Sequence, residues 1–230
     1  MIRALAVAGA LLLPGLAPGT AAAQEPCAVA LVLAMDVSRS VSSREYRLQM
    51  DGLAAAFRDE EVLETIRAQQ GGVLATVTIW GDRTQQRQTT DWTLLLGGEE
   101  TLAFADSVAA TQRYFGFTLT GLGAAMAHAA ALLEAAPQRC RRQVIDISGD
   151  GVSNDGPRPN LVRDALPAGV TVNGLVILGA TPDPKQHYID EVIAGPGAFV
   201  ETAADFEDYA RAIRLKLLRE LAPALSMLSE

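Results

Sequence analysis

Apolar runs and amphipathic stretches alternate along this chain. Residues 28–35 form an unbroken apolar run, and 73–80, 143–147 and 170–178 are largely apolar. Runs of this length without strict polar alternation predict strands buried on both faces, the habit of parallel sheets. A more polar run over 85–94 predicts an edge strand or hairpin arm. The Gly195-Pro196-Gly197 turn precedes a short last strand predicted over 198–201. Helices are predicted over 43–58, 60–68, 99–114, 120–135, 158–166, 185–193 and 205–221. In the first of them Leu48, Leu53, Ala56 and Phe57 gather on one side. Strands alternating with helices predict a doubly wound α/β fold: a central, mostly parallel sheet of about six strands with helices on both faces and right-handed crossovers. One residue interrupts the pattern. Asp146 stands inside the 143–147 run, where an ionised carboxylate is costly unless bonded or paired. Arg141, Arg142 or loop amides are its expected contacts, or else a partly wet edge.

Candidate chemistry gathers where strands end. Asp36-Val37-Ser38-Arg39-Ser40 follows the first apolar run. In extended chain alternate residues point the same way, so Asp36, Ser38 and Ser40 can converge. Small oxygen donors suit a hard cation such as Mg²⁺, and the carboxyl edge is where open α/β sheets bind ligands. Asp150, in Ser148-Gly149-Asp150-Gly151, follows the 143–147 run, and Thr120 opens the small-residue segment Thr120-Gly121-Leu122-Gly123-Ala124-Ala125-Met126. Each also has a plainer reading. Ser42 with Glu45 forms a capping box, Thr120 caps its helix, and Asp150-Gly151 is a turn. Ser153-Asn154-Asp155 lines a rim or forms a polar turn. Trp80 and Trp92 anchor a partner or, more commonly for tryptophan, belong to the core. His128 and His187 are too few and too far apart in sequence for a zinc site.

Asp, Ser and Ser, then Thr, then Asp-Gly, in that order, resemble the metal-ion-dependent adhesion site (MIDAS) of von Willebrand factor type A (vWA) domains. The resemblance runs from about residue 27 to 221. It is nearest to an uncharacterised branch of exported bacterial proteins, a domain of unknown function. Val144-Ile145-Asp146-Ile147-Ser148-Gly149-Asp150-Gly151, Gly195-Pro196-Gly197-Ala198-Phe199-Val200 and Lys216-Leu217-Leu218-Arg219-Glu220 carry that likeness. Many vWA domains have an apolar residue or Thr where Gly149 stands. The resemblance implies a Mg²⁺ (or Mn²⁺) ion bound directly by Ser38 and Ser40, directly or through water by Thr120, and mostly through water by Asp36 and Asp150. An acidic group of an unidentified protein or peptide partner would complete the site. It also implies that the first and fourth strands lie side by side at the sheet centre. Cys27 precedes Asp36 by nine residues and Cys140 precedes Asp150 by ten. Adjacent strands lie about 4.8 Å apart, so with that strand order a Cys27–Cys140 disulfide is expected at the edge opposite the metal.

Composition sets the context. Residues 1–23 read as a secretory signal peptide: Arg3, an apolar stretch, then Ala21-Ala22-Ala23 before the cleavage point. Residues 24–230 read as a single vWA-like domain, exported to the periplasm or secreted, without stable membrane insertion once the leader is cut. Cleavage takes the formal net charge from −8 to −9, since Arg3 is the one charged side chain removed. An acidic chain is a poor nucleic-acid ligand, and Arg139, Arg141 and Arg142 read as a solvated loop ahead of a strand. The expected function is non-enzymatic binding. A metal-dependent hydrolase or phosphatase is the first alternative, weakened because Ser38 stands where an aspartyl phosphatase needs its second Asp. No Gly-x-Ser-x-Gly elbow or Walker loop supports it either. A scaffold with a silent site is the other alternative.

Overall fold

The computed structural model describes residues 26–222; the 1–23 leader lies outside them. The elements in order are β1 (Cys27–Asp36), α1 (Ser43–Ala56), α2 (Glu60–Arg67), β2 (Val73–Trp80), β3 (Gln86–Leu95), α3 (Glu99–Ala109), α4 (Leu122–Glu134), β4 (Cys140–Gly149), α5 (Pro159–Arg163), β5 (Val170–Ile177), α6 (Pro184–His187), β6 (Val200–Ala203) and α7 (Tyr209–Leu221). A π-helical turn, Tyr188–Val192, continues α6. The sheet has six strands in the order β3-β2-β1-β4-β5-β6. All neighbours run parallel except β3, which pairs antiparallel with β2 at one edge.

The continuous apolar runs have a simple cause: β1 and β2 are buried along their whole length. Val29, Leu31, Leu33 and Met35 face a core shared with α1, α2, α3 and α7. Ala30, Val32 and Ala34 face a second core built from α4 and the Tyr188–Val192 turn. Chain order reverses direction between the adjacent strands β1 and β4. Loops leave that point on opposite sides and open a crevice at the strands' carboxyl ends. At the other end Cys27 stands opposite Cys140 in the register, and the two form a disulfide with Cα atoms 4.3 Å apart.

Several boundaries move for tertiary reasons. The helix predicted to reach residue 114 ends at Ala109. Beyond it the chain bonds to other elements: Thr111 O accepts from the Tyr46 hydroxyl, and Thr118 O accepts from Arg39 N. The last helix starts at Tyr209 because Asp205 and Asp208 form a side-chain-bonded turn ahead of it, with Asp208 held by Arg211. β4 begins at Cys140, so Arg141 and Arg142 are strand residues and not a loop. Arg141 donates to Gln70 O, while Arg142 is half-buried. Trp80 is fully buried and Trp92 packs against the second core, which makes both core residues.

Asp146 meets none of its expected partners. It points into the α7 side of the sheet, fully buried, and pairs with the Lys216 Nζ at 2.7 Å. Lys216 also binds Glu220, one turn on along α7, and Glu220 accepts from Asn173 of β5 at 2.8 Å. Burial, and then the Asp146 charge, raise the Glu220 carboxyl to about 7 even though Lys216 pulls it down. A buried carboxylate in β4 is thus neutralised by a lysine that projects inward from a helix.

Candidate metal centre

Asp36 ends β1, and the chain then turns so that Ser38 and Ser40 follow it around the crevice. Asp36 Oδ1 accepts the Ser38 amide at 2.6 Å, which tightens this turn. The Ser38 and Ser40 hydroxyls lie 3.2 Å apart, and Ser40 Oγ donates to Asp150 Oδ1 at 2.7 Å. Four of the five residues singled out in the sequence are therefore linked by direct hydrogen bonds. Thr120, the fifth, lines the same cleft as Ser40 and Asp150. Its Oγ1 lies 3.7 Å from where a Cβ on Gly151 would stand. The cleft holds about 490 Å³, and Arg39, Leu119, Asn154 and Pro182 also line it.

The plainer readings sort themselves out. The Ser42–Glu45 capping box is present at the start of α1, one step beyond the serines of the cleft. Thr120 caps nothing: α4 begins at Leu122 behind Gly121 without a side-chain cap. Thr120 is instead braced on both backbone sides by Asn154. Asn154 Oδ1 accepts from Thr120 N and Asn154 N donates to Thr120 O, both at 2.9 Å. Ser153 Oγ adds a bond to Thr120 O, and Asp155 pairs with Arg83. The small residues ahead of α4 are needed for contact. A Cβ on Gly121 would stand 2.7 Å from the Asp82 backbone.

Two further buried residues near Asp36 were missed by the sequence reading. Gln49 of α1 is fully buried and donates to Asp36 O at 3.3 Å. Tyr188, also fully buried, has its hydroxyl beside Gly149. A Cβ on Gly149 would lie 2.6 Å from that hydroxyl and 2.9 Å from Asp36 Oδ2. A side chain at position 149 would collide with both groups, which accounts for the departure from the usual vWA residue there. The unexpected glycine was a signal in the sequence. Its partner, 39 residues further along, was not.

Electrostatically the site is an unbalanced pair of carboxylates. Burial, then the nearby Asp150 charge, lift the Asp36 carboxyl to about 7. Burial also raises Asp150, opposed by its bond from Ser40. Asp36 Oδ2 is buried without a hydrogen-bond partner among the described residues. Hydroxyls and carboxylates around a cleft, with surplus negative charge and an orphaned buried oxygen, are the donor chemistry of a hard divalent cation. His187 does not join it: its Nε2 accepts from Ser153 N at 3.2 Å outside this donor set. His128, half-buried on α4, has its pKa lowered by burial.

This architecture is the α/β fold of a vWA domain. Proximal thread matrix protein 1 from the mussel byssus superposes with a TM-score of 0.64 at 17% identity, covering 86% of this chain and 49% of that one. A von Willebrand factor type A protein from Catenulispora acidiphila gives 0.60 at 16% identity, covering 85% of this chain and 43% of that one. A second structure of the mussel protein, with a zinc-occupied MIDAS motif, gives 0.58 at 16% identity, covering 86% of this chain and 48% of that one. The chain thus spans about half the length of these relatives or less. Within this fold class the chain belongs to the DUF1194 family, proteins of unknown function, whose model matches residues 26–225. No curated protein matches the sequence.

Proposed function

We propose that this domain is an exported, non-enzymatic binding module that holds a divalent cation, Mg²⁺ or Mn²⁺, in a MIDAS-type site. Ser38, Ser40 and Thr120 would supply hydroxyl ligands, with Asp36 and Asp150 acting mainly through water and hydrogen bonds. The carrying observation is that Asp36, Ser38, Ser40 and Asp150 form one hydrogen-bonded cluster with two raised carboxyls, neither of them in an ion pair among the described residues. When bound, the ion would offer a coordination position to a carboxylate from a protein or peptide partner. The residues' own part is to hold a rigid ring of neutral hydroxyls, which leaves the ion electron-poor enough to attract an outside acid. The zinc-occupied motif of the mussel relative supports a divalent ion in this fold. The disulfide fits an oxidising compartment, periplasmic or extracellular. Among the described residues no helix is long and apolar enough to cross a membrane.

Calorimetric titration of the mature protein with Mg²⁺, Mn²⁺ and Zn²⁺, beside Asp36→Ala and Ser38→Ala, tests the site. Saturable binding lost in both variants is the expected result. Wild-type protein that takes up none of the three ions would refute the cation reading and leave the silent-scaffold alternative in its place.

A further inference from the structure

The segment joining α3 to α4, which lines the cleft through Thr118 and Leu119, carries a concentration of exposed apolar side chains. Three large apolar side chains stand out on the segment joining α3 to α4: Phe117 is 92% exposed, Leu119 53% and Tyr114 49%. Two of them bracket Thr118, immediately before Thr120. Phe117 is the one non-glycine residue with a positive φ among the described residues, at 56°. An aromatic held in the left-handed region and turned into solvent is disfavoured on both counts. Such positions persist only where the surroundings over-determine them.

The surroundings do so here. The Arg113 guanidinium donates to Val37 O at 2.9 Å, to Ser38 O at 3.1 Å and to Phe115 O at 2.9 Å. Arg39 N donates to Thr118 O at 2.9 Å. The Phe117 segment is thus fastened to the backbone of the Asp36–Ser40 turn itself. Two hollows flank the junction. One is the cleft with Ser40, Thr120, Asp150 and Leu119; the other, of about 330 Å³, is lined by Val41, Phe115 and Phe117 together with Ser42, Ser43 and Arg113. Arg39 lines both. Its side chain is exposed and has no ion-pair partner among the described residues. On a chain with a formal net charge of −8, this is a local positive point set between an acid-seeking cleft and the hollow beside Phe117.

We propose that the partner is a short peptide segment carrying an acidic side chain with an aromatic or large aliphatic side chain within about three positions of it. The acid enters the cleft, the apolar side chain lies against Phe117 and Leu119, and Arg39 between them favours a further negative charge on the same segment. This rests on the cation-binding reading above. Charge complementarity at Arg39 selects an acidic segment over a basic or neutral one, and the exposed Phe117 supplies the aromatic anchor that interface energetics favour.

The test is selection of random dodecapeptides on the immobilised mature protein saturated with Mn²⁺, eluted with chelator, with Mn²⁺ binding measured on the same preparations. Enriched peptides are expected to pair Asp or Glu with Phe, Trp, Tyr, Leu or Ile inside three positions. Their affinity is expected to fall at least tenfold in Phe117→Asn, with Mn²⁺ binding unchanged. Asn is chosen because it tolerates the left-handed backbone, so the fold is retained. Enrichment of acidic residues without apolar neighbours, affinities unmoved by Phe117→Asn, or no enrichment despite bound Mn²⁺ would each overturn the inference while sparing the cation site. Failure to bind Mn²⁺ at all would sink the underlying reading as well.

Discussion

Replacing Lys216 by Met is the most revealing single perturbation of this fold. The side chains are similar in length, so packing is nearly conserved and the change is electrostatic. Lys216 and Asp146 are fully buried and Glu220 almost so. Without the ammonium, Asp146 keeps only a 3.4 Å contact from the Ser148 hydroxyl, and Glu220 keeps its bond from Asn173. Removing one partner of a buried pair costs about 3–5 kcal/mol because the remaining charge is stranded. At about 2–4 °C per kcal/mol for a domain of this size, the melting temperature should fall by roughly 6–20 °C. The pH dependence carries a sign that packing loss does not. Glu220 has its folded pKa raised from 4.5 to about 7. Between those values the folded state holds more protons than the unfolded one, so stability falls as pH rises through the window. Lys216 is the largest influence pulling that carboxyl down, so losing it moves the folded value further up. The deficit of Lys216→Met should therefore be largest above neutrality and shrink toward pH 5. Thermal and urea melts from pH 5 to 8 on wild type, Lys216→Met and Asp146→Asn/Lys216→Met/Glu220→Gln would show it. A single variant within about 1 kcal/mol of wild type, far below the cost expected of a broken buried pair, or a deficit that does not change with pH, would refute the reasoning.

Other expectations follow from the same contacts. Cys27→Ser/Cys140→Ser opens a loop of 113 residues and should cost about 4–5 kcal/mol on the chain-entropy account, read by urea denaturation with and without reductant. Gly149→Ala places a methyl 2.6 Å from the Tyr188 hydroxyl and 2.9 Å from Asp36 Oδ2. It should destabilise by about 1–3 kcal/mol and weaken cation uptake, and adding Tyr188→Phe should restore part of both in paired melting and calorimetric measurements. Asn154→Ala strands the buried Thr120 amide, at a cost of about 1–3 kcal/mol. Cation affinity should drop while the circular dichroism spectrum stays that of wild type.

The layers are readable in the order of residues along the chain. Apolar runs such as 28–35 and 73–80 fall on strands buried on both faces, and Asp36, Ser38 and Ser40 follow the first of them. Burial leaves a local mark, since a strand covered by helices on both sides has no solvent-facing positions to fill with polar residues. The strand order and the Cys27–Cys140 pairing were legible only through likeness to vWA domains, because parallel neighbours are joined by long crossovers that leave no local trace. The pairings between distant segments come from the folded arrangement alone. Lys216 looks like an ordinary surface lysine in an amphipathic helix; its burial follows from Asp146, 70 residues earlier, standing opposite it across the core. Tyr188 reaches Gly149 only because of the course of the turn after α6, and the glycine makes sense only once Tyr188 and Asp36 are both in place. Phe117 stands in solvent because Arg113 and Arg39 bind its segment to the Asp36–Ser40 turn. Hydrophobic periodicity reports whether a residue meets water. Which atom it meets instead is settled by how the layers dock, and the supports of the candidate metal centre were all of that second kind.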